Sequence, residues 1–233
     1  MEKPRIFLIG VAHVLNMGER VREEIISIAP RAVCVELDRG RLYALRHPDE
    51  ISSKGLPIYM RFLARLQRKI GESYGVQAGE EMLQAIKAAE ILRIPALLVD
   101  DDAYIAVRRM FKEMSIREKL RFIGAFIPWP SRKKVNLDDE LKKYEGNKRA
   151  YMEEFGRYFP TAKRILIDER NQHMAERIFN AGMKYGRVVA VLGDAHLEGI
   201  KELLAKKGAE VEVIHMKDLR RTVLKVNFSY RHA

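Results

Sequence analysis

Five short apolar runs punctuate the chain, and their spacing sets the expected fold class. They are RIFLIGVA from Arg5, AVCVEL from Ala32, PALLVD from Pro95, RVVAVLG from Arg187 and VEVIH from Val211. Runs of this length, rich in Val, Ile and Leu, predict strands. The first four are almost continuously apolar, as in a sheet covered on both faces. A sixth run, TVLKVNFSY from Thr222, behaves differently. Leu224, Val226, Phe228 and Tyr230 alternate with Val223, Lys225, Asn227 and Ser229, which predicts an antiparallel C-terminal edge strand.

Between these runs the apolar positions recur with a helical period. MGERVREEIISIA carries a stripe of Val21, Ile25, Ile26 and Ile28, and GEEMLQAIKAAEIL one of Met82, Leu83, Ile86, Ala89 and Leu92. TAKRILIDERNQHMAERIFNAGMKYG predicts one long helix, with Thr161 as N-cap after Pro160 and Gly186 as its stop. AHLEGIKELLAKKG predicts another, ending at Gly208. Strand and helix in alternation predict an α/β domain over residues 1–233, with a largely parallel or mixed central sheet flanked by helices. The order is interrupted over residues 104–159, which lack a strand pattern and read as a helical insertion. That stretch contains FIGAFIPWPSRKK, in which Pro128 and Pro130 break any helix.

Composition adds three constraints. The single cysteine, Cys34, excludes an intramolecular disulfide and a multi-cysteine zinc cluster, and its place in AVCVEL marks it as a core thiol. No apolar run approaches the roughly 20 residues of a membrane helix, and MEKPRIFLIG is too short and too β-like for a signal peptide. The expected location is cytoplasmic. The 32% charged fraction, with one cysteine, leans towards a thermophilic source.

The net charge of +11 is uneven, with 16 Lys/Arg against 8 Asp/Glu between Ala103 and Arg164. No RNP-like aromatic motif, zinc finger or Gly-rich phosphate loop accompanies this charge, so nucleic acid is not expected as a partner. The segment reads chiefly as a solvated helical face. FIGAFIPWPSRKK remains the stretch to consider for peripheral contact with an anionic membrane, or for a homo-oligomer interface, and its apolar residues favour protein packing.

The chemistry gathers where strands end. Gly10-Val-Ala-His13 and Gly193-Asp-Ala-His196 each place a histidine three residues after a glycine that closes an apolar run. In α/β sheets ligands bind beyond the carboxyl ends of the strands. Glycine there permits unusual backbone angles and close approach of a neighbour. AVCVELD adds Glu36 and Asp38 at a third end, and two histidines with one carboxylate form a recognised open metal set. Asp100, Asp101 and Asp102 lie at a fourth end and also suit a helix N-terminus. His47, His173, His215 and His232 lack the paired context. In DERNQHMA, Glu169 and His173 share a helix face, and Arg170 could orient Glu36 or grip a substrate carboxylate. The plainer reading there is a solvated face with weak ion pairs.

GVAH, VCVELDRGRLYAL, GEEMLQAIKAAE, ERNQHMAERI and VVAVLGDAHLEGI, in that order, resemble the TraB/PrgY-like pheromone-shutdown family. That family is related to Tiki-type metalloproteases and, more distantly, to erythromycin-esterase-like and ChaN-like proteins. The resemblance implies that His13, His196 and Glu36 form the active site, holding a divalent metal ion such as Mn, Co or Zn. In the Tiki-like branch this goes with peptide-bond cleavage. Carried over motif by motif, it adds Arg41, Glu81, Glu169 and Arg170 as supporting catalytic residues. Glu169 or Glu81 would then be the general base and Arg170 would position substrate. Relatives often read DRD where this chain has Asp100, Asp101 and Asp102, so an acid at Asp101 replaces a base. The non-enzymatic alternative is a protein that sequesters a peptide or small ligand in the same pocket.

Overall fold

The computed structural model describes residues 3–11, 17–48, 79–126 and 147–215. The chain divides into two compact units, residues 1–102 with 171–233, and residues 103–170. The described helices are α1 (Gly18–Ile28), α2 (Arg39–Arg46), α3 (Glu80–Leu92), α4 (Ala103–Glu113), α5 (Ile116–Phe126), α6 (Lys148–Tyr158), α7 (Pro160–Lys163), α8 (Glu169–Tyr185) and α9 (Leu197–Lys206). None is long and apolar enough to cross a membrane.

The first unit holds the five expected strands: β1 (Arg5–Val11), β2 (Ala32–Val35), β3 (Ala96–Leu98), β4 (Arg187–Gly193) and β5 (Glu210–Ile214). They form one sheet in the order β3-β2-β4-β1-β5, and every pairing is parallel. The antiparallel edge strand expected from Thr222 lies outside the described residues. Among the described strands the sheet is wholly parallel rather than mixed.

Because strand side chains alternate, the continuous apolar runs split cleanly between two faces. Phe7, Ile9, Val11, Val33, Val35, Val189 and Val191 pack with Val21 and Ile25 of α1 and with Met82, Ala85, Ile86 and Ala89 of α3. Ile6, Leu8, Cys34, Val188, Ala190 and Leu192 pack with Met174 and Ile178 of α8 and with Leu197, Ile200 and Leu204 of α9. Both faces are covered, as the composition of the runs requires. Burial pushes the Cys34 thiol up to about 12, so it is a core thiol. Ile26 departs from its expected place and is exposed, because it sits one residue round from the Val21–Ile25 face.

The long helix differs from expectation in two ways. It is interrupted by a π-helical segment, Arg164–Asp168, a short departure from the α-helical ladder. Ile165 belongs to the core of the second unit, whereas Met174 and Ile178 belong to that of the first. Thr161 is also not the N-cap. Pro160 takes the first helical position, where its missing N–H costs nothing, and Phe159 precedes it without a side-chain cap. The orphan N–H groups of Thr161 and Ala162 instead donate to Glu118 Oε1, at 2.9 and 3.3 Å.

The described part of the second unit is helical. Its core comprises Met110, Met114, Ala162 and Ile165, with Phe111, Phe122, Phe155 and Phe159 packed against them. Phe122 meets Phe111 and Phe159 edge-on, so part of FIGAFIPWPSRKK packs internally. Residues 127–134 of that stretch lie outside the described residues.

Candidate functional site

The strand order puts the sequence's matched segments side by side. β4 lies between β2 and β1, so Glu36, the Gly193–His196 segment and the end of β1 occupy three consecutive strand ends. Val11, the last residue of β1, is opposite Gly193. After β1 the chain passes to α1 on one face of the sheet, and after β4 to α9 on the other. Adjacent strands whose connections diverge in this way mark a topological switch point, where α/β sheets bind ligands. His13 comes two residues after Val11 in sequence and lies outside the described residues.

Glu36 follows β2 directly, and His196 closes the short 3₁₀ turn Asp194–His196 after β4. Both side chains are buried, at 7% and 5% exposure, with Glu36 Oε1 3.4 Å from His196 Nε2. The other carboxylate oxygen is anchored, since the Gly193 N–H donates to Glu36 Oε2 at 2.6 Å. His196 Nδ1 lies 2.6 Å from Asn171 Oδ1. Each polar atom of the pair is thus positioned by a different element: β4, α8 or the opposing side chain.

The glycines act through space rather than through backbone angles. Gly193 has φ −56° and ψ 135°, open to any residue. A Cβ on it would lie 3.3 Å from Glu36 Oε2 and 3.7 Å from His196 Cδ2. A Cβ on Gly10 would overlap Leu197 Cδ1 and stand 2.8 Å from Asp194 Oδ1. Both positions permit close approach of the segments that carry the polar groups.

Arg41 and the strand-end aspartates form a clamp. Asp38 caps α2 by accepting from the Arg41 N–H at 2.9 Å, and Arg41 Nε donates to Asp38 Oδ2 at 2.6 Å. Arg41 Nη2 pairs with the buried Asp100, which ties the end of β2 to the end of β3. Asp101 pairs with His173 and accepts from Arg177 Nη2 at 2.7 Å. Arg177 Nη1 also donates to the carbonyls of Val99 and Asp100, at 3.0 and 2.8 Å. The acid at Asp101 therefore faces basic groups from α8.

The remaining expected residues have their own settings. Glu81 is fully buried in the first turn of α3, where the helix dipole favours a carboxylate. Glu169 and Arg170 belong to the second unit. Glu169 is held by Arg109 Nη2 and Arg164 Nη1, each at 2.6 Å, and Arg170 Nη1 donates to the Leu166 carbonyl at 2.9 Å. Among the described residues no three His, Cys, Asp or Glu side chains converge as a metal group.

One residue escaped the sequence reading, and one that it set aside is placed beside the strand ends. Asn171 follows the residues chosen from ERN, yet it is the buried one. It lies in phase with Met174, Ala175 and Ile178, and a polar residue on an apolar stripe was the available signal. His215 directly follows β5, with Nδ1 3.8 Å from Asp194 Oδ1 and Nε2 3.8 Å from Glu198 Oε1. It lacks the glycine spacing that drew attention to the other strand-end histidines.

A family model described as the TraB/PrgY/gumN family matches residues 2–213. The chain is 32% identical over 226 residues to an uncharacterized protein of Methanocaldococcus jannaschii, an alignment covering 91% of this chain and 56% of the relative. It therefore spans little more than half of that relative's length.

Proposed function

The chain belongs to the TraB/PrgY/gumN family, and on that footing we propose that it is a metal-dependent hydrolase acting on peptide-like amides. The observation that carries this reading is the buried Glu36–His196 pair, 3.4 Å apart at two adjacent strand ends. Ligands about 2.0–2.2 Å from one tetrahedral ion stand roughly 3.3–3.6 Å apart, so the pair fits two positions of such a site. A carboxylate oxygen with an imidazole nitrogen suits Zn, Mn or Co. His13, carried by the Gly10–His13 segment, is the proposed third ligand. When bound, the ion would polarise a carbonyl and acidify a water molecule.

The protein's own groups have narrower tasks. Gly193 holds one oxygen of Glu36 and leaves the other directed at His196. Arg41, through Asp38 and Asp100, fixes the loop that carries Glu36. Glu81 is the proposed general base. Glu169 suits that role less well, because arginines engage both of its oxygens.

The test is cleavage of a peptide library by the full chain loaded with Mn, Co or Zn. Turnover that a chelator abolishes, and that Glu36→Gln and His196→Ala lack, is the expected result. Tight metal binding with no turnover across the library would replace the hydrolase by the sequestering protein.

A further inference from the structure

We infer that Asn171 is the positioning residue that sets the tautomer of His196 and aims its Nε2 at Glu36. The argument begins with cost. Asn171 sits on the apolar face of α8 with Met174, Ala175 and Ile178, and it is 6% exposed. An amide buried on such a face is destabilising unless its polar atoms are satisfied. Its Oδ1 lies 2.6 Å from Nδ1 of His196, which is itself 4% exposed. An amide oxygen only accepts, so Nδ1 carries the proton and donates. A neutral imidazole has one N–H, and Nε2 is then left as the lone-pair atom, 3.4 Å from Glu36 Oε1.

Local packing leaves the space that the amide needs. Gly199 lies in the first turn of α9, and a Cβ there would overlap Asn171 Nδ2 and stand 3.3 Å from Cγ. The GDAHLEG segment therefore supplies three things together: the anchor for Glu36 at Gly193, the imidazole at His196, and the space for Asn171 at Gly199. Partners of this kind, which orient a ligand without touching the ion, commonly govern metal affinity.

The tautomer is a property of the metal-free protein, and only its effect on affinity rests on the metal reading above. The full chain is labelled with ¹⁵N-histidine, and its imidazole signals are recorded without metal at neutral to mildly alkaline pH, with His196→Gln assigning the resonance. Protonated Nδ1 is expected in the wild type and in Asn171→Asp, which keeps an acceptor. Asn171→Leu and Gly199→Ala should lose that preference and weaken Mn, Co or Zn binding by about 10- to 100-fold. Bare Nδ1 in the wild type would overturn the inference, as would protonated Nδ1 retained in Asn171→Leu. The wild-type spectrum decides the matter even if that variant does not fold. Protonated Nδ1 with no metal binding would leave the tautomer claim standing and remove the hydrolase reading. Metal binding with bare Nδ1 would do the reverse.

Discussion

Each unit buries a glutamate that accepts backbone N–H groups from distant sequence, and the two are put to different use. Glu118, in the second unit, directs one oxygen at the N–H groups of Thr161 and Ala162. That is a helix cap supplied from another helix, and it solves a folding problem. Glu36, in the first unit, divides its oxygens. One is fixed by the Gly193 N–H and the other faces His196 Nε2. A backbone anchor makes a buried carboxylate stable in either case, and the direction of the second oxygen separates a cap from a site.

The comparison can be broken at its anchors. The largest effect is expected at Gly10, where a Cβ would meet Leu197 and Asp194 beside the anchor strand. Overpacking of a fully buried contact costs about 1–3 kcal/mol. Urea denaturation of Gly10→Ala should show that loss, together with weakened metal binding. A wild-type midpoint and affinity would mean that the strand ends tolerate more space than their packing implies. Glu118→Ala should cost about 0.5–2 kcal/mol through loss of the cap, measured in the same way, and leave metal affinity unchanged. A fall in affinity would erase the distinction between the two glutamates.

Smaller effects belong to the surface of the second unit, where Arg109 and Arg164 bracket Glu113 and Glu169. The hydrogen bond from Arg164, and then that from Arg109, holds the Glu113 carboxyl below its ordinary value of 4.5. A depressed folded-state pKa contributes stability above the unfolded value, and this is lost as pH falls through the folded one. The melting temperature should drop on acidification below 4.5. Glu113→Gln should flatten that drop, and high salt should reduce the difference. No effect at all is expected at Cys34 near neutral pH, because its thiol is held up at about 12. Alkylation of the folded protein at pH 8 would contradict that burial.

The sequence made the sheet legible because burial on both faces leaves little choice of residue. The apolar runs named every described strand, and the matched glycines and histidines drew attention to adjacent strand ends. Period-2 alternation then divides Phe7, Ile9 and Val11 from Ile6 and Leu8 without further information. Legibility failed where structure depends on partners distant in sequence. Thr161 had the right chemistry for a cap, but Glu118 supplies that function from 43 residues away. The π segment has no turn residue to announce it. In ERN the charged residues drew attention, although the uncharged Asn171 is the one that meets His196. Charge is conspicuous in a sequence, while burial of a neutral amide shows only through its helical phase.

The central claim is that Glu36 and His196 share a divalent ion. Equilibrium titration of the metal-free full chain with Mn, Co and Zn, run beside Glu36→Gln and His196→Ala, tests it most directly. The account predicts one site per chain for at least one of these metals, with affinity reduced by at least about 100-fold in both variants. Equal affinity in all three proteins, or no saturable site in the wild type with any of the three metals, would contradict it.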